Sequence, residues 1–84
     1  MGLPQQPVTL SAEQVAELNR KLSEMRHAIN NRLALLVAAA EVVRLRPETM
    51  DKVGPTFSDQ PHKITEDIKQ FTGHLEKTLG ITRD

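Results

Sequence analysis

Arg26, His27, Asn30, Asn31 and Arg32 fall within the single segment RHAINNRL, and that segment carries most of the chemistry this sequence offers. His27 lies off the apolar stripe marked by Leu22, Met25, Ile29 and Leu33, so on a helix it is expected to face solvent. An exposed imidazole on a rigid helix keeps a free ring nitrogen, the property required of a nucleophile for phosphoryl transfer. Asn31 follows one helical turn later, where its carboxamide could orient a water or a phosphoryl oxygen beside the ring. Arg26 and Arg32 add positive charge. Ala28, Ala34 and Ala38 leave low walls against which another protein could dock. Asn30 and Asn31 are poor helix formers, each less favourable than alanine by about a few tenths of a kcal/mol, which favours a site over a plain scaffold.

These residues need a helix to hold them, and the flanking sequence provides one. Residues 1–10, with Gly2, Pro4 and Pro7 among glutamines, lack helical periodicity and read as an extended or disordered arm. Ser11 and Gln14 form a capping-box pattern, with Leu10 and Val15 placed as a hydrophobic staple. Val15, Leu18, Leu22, Met25, Ile29, Leu33, Leu36, Ala40 and Val43 then recur at steps of three and four. A first helix over about 11–46 would be on the order of 50 Å long. Pro47, Glu48 and Thr49 mark a turn, and Met50, Val53, Phe57, Ile64, Ile68, Phe71, Leu75 and Leu79 define a second helix over about 48–79. Pro55 and Pro61 fall inside it and are expected to kink or interrupt it. Gly80 reads as its C-terminal cap, followed by a tail over 80–84.

The fold expected is therefore all-α: an antiparallel helical hairpin over 11–79. Two such helices cannot hide both stripes by packing only on each other. A homodimer closing into a four-helix bundle is the simplest solution, since a twofold interface needs only one self-complementary surface. A monomeric three-helix bundle broken at Pro61 is the competing architecture.

Composition narrows the function. Among 84 residues, eleven basic and eleven acidic side chains cancel, which argues against nucleic acid or an anionic membrane as partner. Phe57 and Phe71 are the only aromatics, too few for a base-stacking platform. No apolar run approaches the roughly 20 residues that span a bilayer, and a cytoplasmic location is expected. Cysteine is absent, which removes thiolate catalysis and sulfur-ligated zinc. His62 and His74 lie among polar residues without a metal pair at helical spacing; neither is given a role, and no metal is expected.

The run His27, Ala28, Ile29, Asn30, Asn31, Arg32, Leu33 resembles the histidine box of the dimerisation and histidine phosphotransfer domains of two-component sensor kinases, in the variant His, acid, apolar, Asn, Asn, any residue, Leu. That family folds as a helical hairpin with the box on its first helix and dimerises into a four-helix bundle. The resemblance implies that His27 is a phosphoacceptor exchanging phosphoryl with a response-regulator receiver aspartate, and that Asn31 positions water or phosphoryl. Arg26, Asn30, Arg32, Ala34 and Ala38 would then contact the receiver. Ala28 replaces the acid that ordinarily follows the histidine, which speaks against autokinase chemistry. The four glycines are scattered and form no phosphate loop, so no ATP or other cofactor is expected to bind this chain. A phosphotransfer relay, a phosphatase or a segment of a longer kinase fits these features. The alternative is a non-catalytic dimeric helical module that docks a receiver or another helix, and a coiled-coil-like adaptor outside signalling is a third reading.

Overall fold

The computed structural model describes residues 6–81, and its regular structure is entirely helical. Helix α1 spans Ala12–Leu45, a single 3-10 turn spans Pro47–Thr49, and helix α2 spans Met50–Leu79. Local chemistry sets these boundaries. The Ser11 hydroxyl accepts from the Gln14 backbone N–H at 3.1 Å, while the Ser11 N–H donates to Gln14 Oε1 at 2.9 Å, satisfying two of the donors a helix N-terminus leaves open. Val15 remains 52% exposed beside this box. At the far end, the Arg46 N–H bonds the Val42 carbonyl and Pro47 opens the turn. Thr49 then donates to the Arg46 carbonyl through both its N–H and its hydroxyl, at 2.9 and 2.7 Å.

Helix α2 runs without a break across Pro55 and Pro61, so the expected interruption, and the three-helix alternative built on it, do not occur. Both prolines are exposed. Ser58 and Thr65 donate their hydroxyls to the Pro55 and Pro61 carbonyls, at 3.1 and 3.2 Å. Gly80 ends the helix at φ 67°, with the Ile81 N–H reaching the Glu76 carbonyl at 2.9 Å and the Gly80 N–H reaching the Lys77 carbonyl at 3.3 Å. This is the glycine-closed C-terminus expected there. Residues 6–10 of the arm have no regular structure; residues 1–5 of the arm and 82–84 of the tail lie outside the described residues.

The two helices pack along a seven-residue repeat. On α1 the half-buried positions Leu18, Leu22, Met25, Ile29, Arg32, Leu36 and Val43, together with buried Ala39, step alternately by four and three. The seam therefore passes through Arg32 and Ala39, where Leu33 and Ala40 were expected; Leu33 is 47% exposed. On α2 the same repeat runs Val53, Phe57, Gln60, Ile64, Asp67, Phe71, His74 and Thr78, all half-buried. Phe57, Ile64 and Phe71 make an apolar track. Gln60, Asp67 and His74, each seven residues from the next, make a polar one. Arg32 pairs with Asp67, so the polar track faces the α1 track that contains Arg32, and in that register the apolar track faces Ile29, Leu36 and Val43.

The molecule is one layer of helix thick, 56 × 28 × 13 Å. Its Cα radius of gyration, 17.9 Å, exceeds the roughly 12 Å of a compact chain of this length. Among the described residues no side chain is wholly buried, and Val15, Leu33, Leu35, Val37, Val42, Leu45, Met50 and Ile68 are all more than 40% exposed. Among the described residues no helix is long and apolar enough to cross a membrane.

Candidate functional site

His27 sits near the middle of α1, two residues from each of the seam positions Met25 and Ile29. Two helical steps turn a side chain by about 200°, so the packing that buries Met25 and Ile29 points His27 outward. It is exposed, as expected. His27, Asn31, Ala34 and Ala38 follow one another by four and three along the face opposite the seam, and all four are exposed. The track is low-walled at Ala34 and Ala38, whereas Ala28 is half-buried on the flank.

A shallow recess of about 240 Å3 opens beside the ring, lined by Ser23, Arg26, His27 and Asn30. Arg26, His27 and Asn30 are thus brought together, and Ser23 joins them. Ser23 was not legible in the sequence, because a lone serine on a helix carries no signal of its own; only its position four residues before the histidine places it there. Asn31 adjoins His27 along the outer track and does not line the recess.

Arg32 behaves differently from the rest of the segment. Its Nε donates to Asp67 Oδ2 at 2.6 Å and its Nη2 to Asp67 Oδ1 at 3.3 Å, a two-point contact across the seam. The guanidinium hydrogen bond holds the Asp67 carboxyl below the usual aspartate range against the opposing effect of burial, and the same contact raises Arg32 above its ordinary value. Arg32 therefore ties α1 to α2 across the seam.

One turn before the recess, Arg20 is held between Glu17 and Glu24. The Arg20 hydrogen bond lowers the exposed Glu17 carboxyl, with smaller contributions from nearby positive charge. On the flank of the hairpin, Lys21, Glu24, Met25, Ala28, Asp67, Gln70, Phe71 and His74 line a groove of about 250 Å3. Ala28 thus points towards this groove and away from the recess. The Nε2 of His74 and the Oε1 of Gln60 are buried without a hydrogen-bond partner among the described residues. His62 is exposed on α2. No cluster of three or more histidine or acidic side chains suited to a metal occurs among the described residues.

No protein-family model matches the chain, and neither a curated protein nor a solved structure matches it significantly. The residues and their geometry are therefore the basis for a functional reading.

Proposed function

We propose that this chain is a histidine phosphotransfer module of two-component signalling, working as a homodimer, in which His27 exchanges a phosphoryl group with the aspartate of a receiver domain. One observation carries the reading: His27 stands exposed in mid-helix, opposite the seam, in a recess whose other lining residues are Ser23, Arg26 and Asn30. A nucleophilic ring that is both accessible and fixed on a rigid helix is what an in-line attack on an aspartyl phosphate requires. As the bond from His27 nitrogen to phosphorus forms, the bond from phosphorus to the receiver's carboxylate oxygen breaks. Asn31, one turn further along the outer track, would position water for hydrolysis in a phosphatase reaction.

The dimer is supported by the single-layer shape and the exposed apolar side chains. Helical domains bury their apolar stripes between two layers, and a second copy laid on the flank of Leu35 and Val42, turned away from Arg26, would supply the second layer and leave the recess open. The fold and the histidine box resemblance point the same way.

Receivers phosphorylated on aspartate, mixed with the purified chain, test the reading. Acid-labile phosphate appearing on wild type but not on His27→Ala supports a relay. Receiver dephosphorylation without label, lost in Asn31→Ala, supports a phosphatase. If no receiver in a broad panel gives either result, the catalytic reading fails. A second reading, a non-catalytic module that docks a receiver or another helix, is favoured by Ala28 in place of an acid and by the open outer track at Ala34 and Ala38; it expects His27→Ala to bind as wild type does.

A further inference from the structure

We propose that Ser23, Arg26 and Asn30 form an oxyanion subsite that holds a phosphoryl group against the His27 ring. The inference rests on the reading of His27 as a phosphoacceptor and extends it to the group that is bound. Ser23, Arg26, His27 and Asn30 occupy positions i, i+3, i+4 and i+7 of α1, so neighbouring Cβ atoms lie about 5–6 Å apart on one helix face. Every side chain lining the recess can donate a hydrogen bond, and none is a carboxylate. Arg26 enters no ion pair among the described residues, so its guanidinium is uncommitted. Glu24, on the other side of His27, is engaged by Arg20 and lines the separate flank groove. A recess with one free cation, a hydroxyl and an amide matches the charge and the three acceptor oxygens of a phosphoryl group.

His62 provides the contrast within the same chain. It is exposed on α2 with Asp59 three residues before it, as Glu24 is before His27, but Pro61 stands where Arg26 does and Glu66, paired with Lys69 at 3.9 Å, stands where Asn31 does. Ser58, four residues before it, donates its hydroxyl to the Pro55 carbonyl. Ser23 and Arg26 are therefore positioning residues that make one histidine more reactive than another of similar exposure.

The test uses phosphoramidate as the phosphoryl donor, which requires no receiver and no enzyme. A ring nitrogen of His27 attacks phosphorus and the nitrogen–phosphorus bond of phosphoramidate breaks. The remaining ring N–H proton goes to the departing ammonia, which leaves as ammonium. Phosphorylation of His27 and His62 is followed in the same sample by NMR of their ring resonances. His27 is expected to react at least about fivefold faster than His62, the scale of one hydrogen bond's net worth. Ser23→Ala and Arg26→Gln should each lower the His27 rate about fivefold and leave His62 unchanged, while Arg26→Lys should recover part of the rate. Ser23→Ala raises helix propensity, and circular dichroism reports whether each variant keeps its helix. Equal rates at His27 and His62, or an unchanged His27 rate in Ser23→Ala and Arg26→Gln, overturn the subsite. Adding unphosphorylated receivers to the phosphorylated chain separates the two readings. A retained rate advantage without transfer sinks the relay alone, and transfer without the advantage sinks the subsite alone.

Discussion

Arg32 and Asp67, separated by 35 positions in sequence, meet through two hydrogen bonds in the seam between α1 and α2. The Asp67 side chain is 15% exposed and that of Arg32 26%, so the pair is shielded more than an ordinary surface ion pair. Asp67→Asn should destabilise the hairpin by about 1–2 kcal/mol at neutral pH, the range of a hydrogen bond to a charged group reduced for partial exposure. The pH dependence follows from the lowered Asp67 carboxyl. A carboxyl held below its unfolded value, about 3.9, contributes stability above that pH and loses it as pH falls through the folded value. The gap in thermal midpoint between wild type and Asp67→Asn should thus be constant from pH 5 to 7 and close as pH drops below about 4. A gap that persists in acid would show that Asp67 acts through packing alone.

The exposed apolar flank makes a separate prediction about assembly. Leu35 is 51% and Val42 41% exposed, and neither belongs to the intrachain seam. Leu35→Asp and Val42→Asp should therefore spare the hairpin contacts and weaken self-association, each by roughly 2 kcal/mol if the side chain is buried against a second copy. That corresponds to about a thirtyfold rise in the dissociation constant. Sedimentation equilibrium measures it directly, with helicity followed over the same concentrations. A wild-type chain that stays monomeric at every concentration would remove the dimer from the functional reading.

Both predictions depend on features of differing legibility. The capping box at Ser11 and Gln14, the turn at Pro47 and the stop at Gly80 are local, so residue type and spacing alone reveal them. The seam is less readable. Hydrophobicity marks Leu33 and Ala40, but a strict seven-residue repeat passes through Arg32 and Ala39, and a charged residue there makes sense only once Asp67 is brought opposite. His27 is legible as an outward residue because its neighbours Met25 and Ile29 define the inward face. The recess beside it is not, since Ser23 and Asn30 are unremarkable until helical geometry sets them around the ring. Pro55 and Pro61 signal a break from their own chemistry, yet the half-buried positions Val53, Phe57, Ile64 and Phe71 continue past both.

Gly73, inside α2, and Gly80, which caps it, should respond oppositely to the same substitution. Gly73 lies in the helix, exposed, with nothing within 4 Å of an added Cβ. Gly73→Ala should stabilise by about 0.5–1 kcal/mol, since alanine loses less backbone entropy on folding. Gly80 also has open space around it, but its φ of 67° is one that a Cβ disfavours. Gly80→Ala should destabilise by about 1 kcal/mol and fray the last turn. Thermal melts of the two variants check the sign, and amide exchange at Ile81, whose N–H bonds the Glu76 carbonyl, reports the fraying.

The polar track of α2 makes a last prediction, about what its side chains cost. Gln60, Asp67 and His74 occupy equivalent seam positions; Asp67 pairs with Arg32 across the seam, while Gln60 Oε1 is buried without a partner among the described residues. A buried acceptor left unpaired costs about 1–3 kcal/mol in desolvation, whereas an apolar group of similar size at the same position gains from burial. Gln60→Leu extends the leucine and phenylalanine packing of the seam and should raise hairpin stability by about 1 kcal/mol, seen as a higher midpoint in urea at unchanged slope. Asp67→Leu should do the reverse, because it strands the Arg32 guanidinium in the seam. If Gln60→Leu instead lowers stability, the glutamine carbonyl is satisfied in solution by a group the single chain does not provide, and a second copy of the hairpin becomes the first place to look.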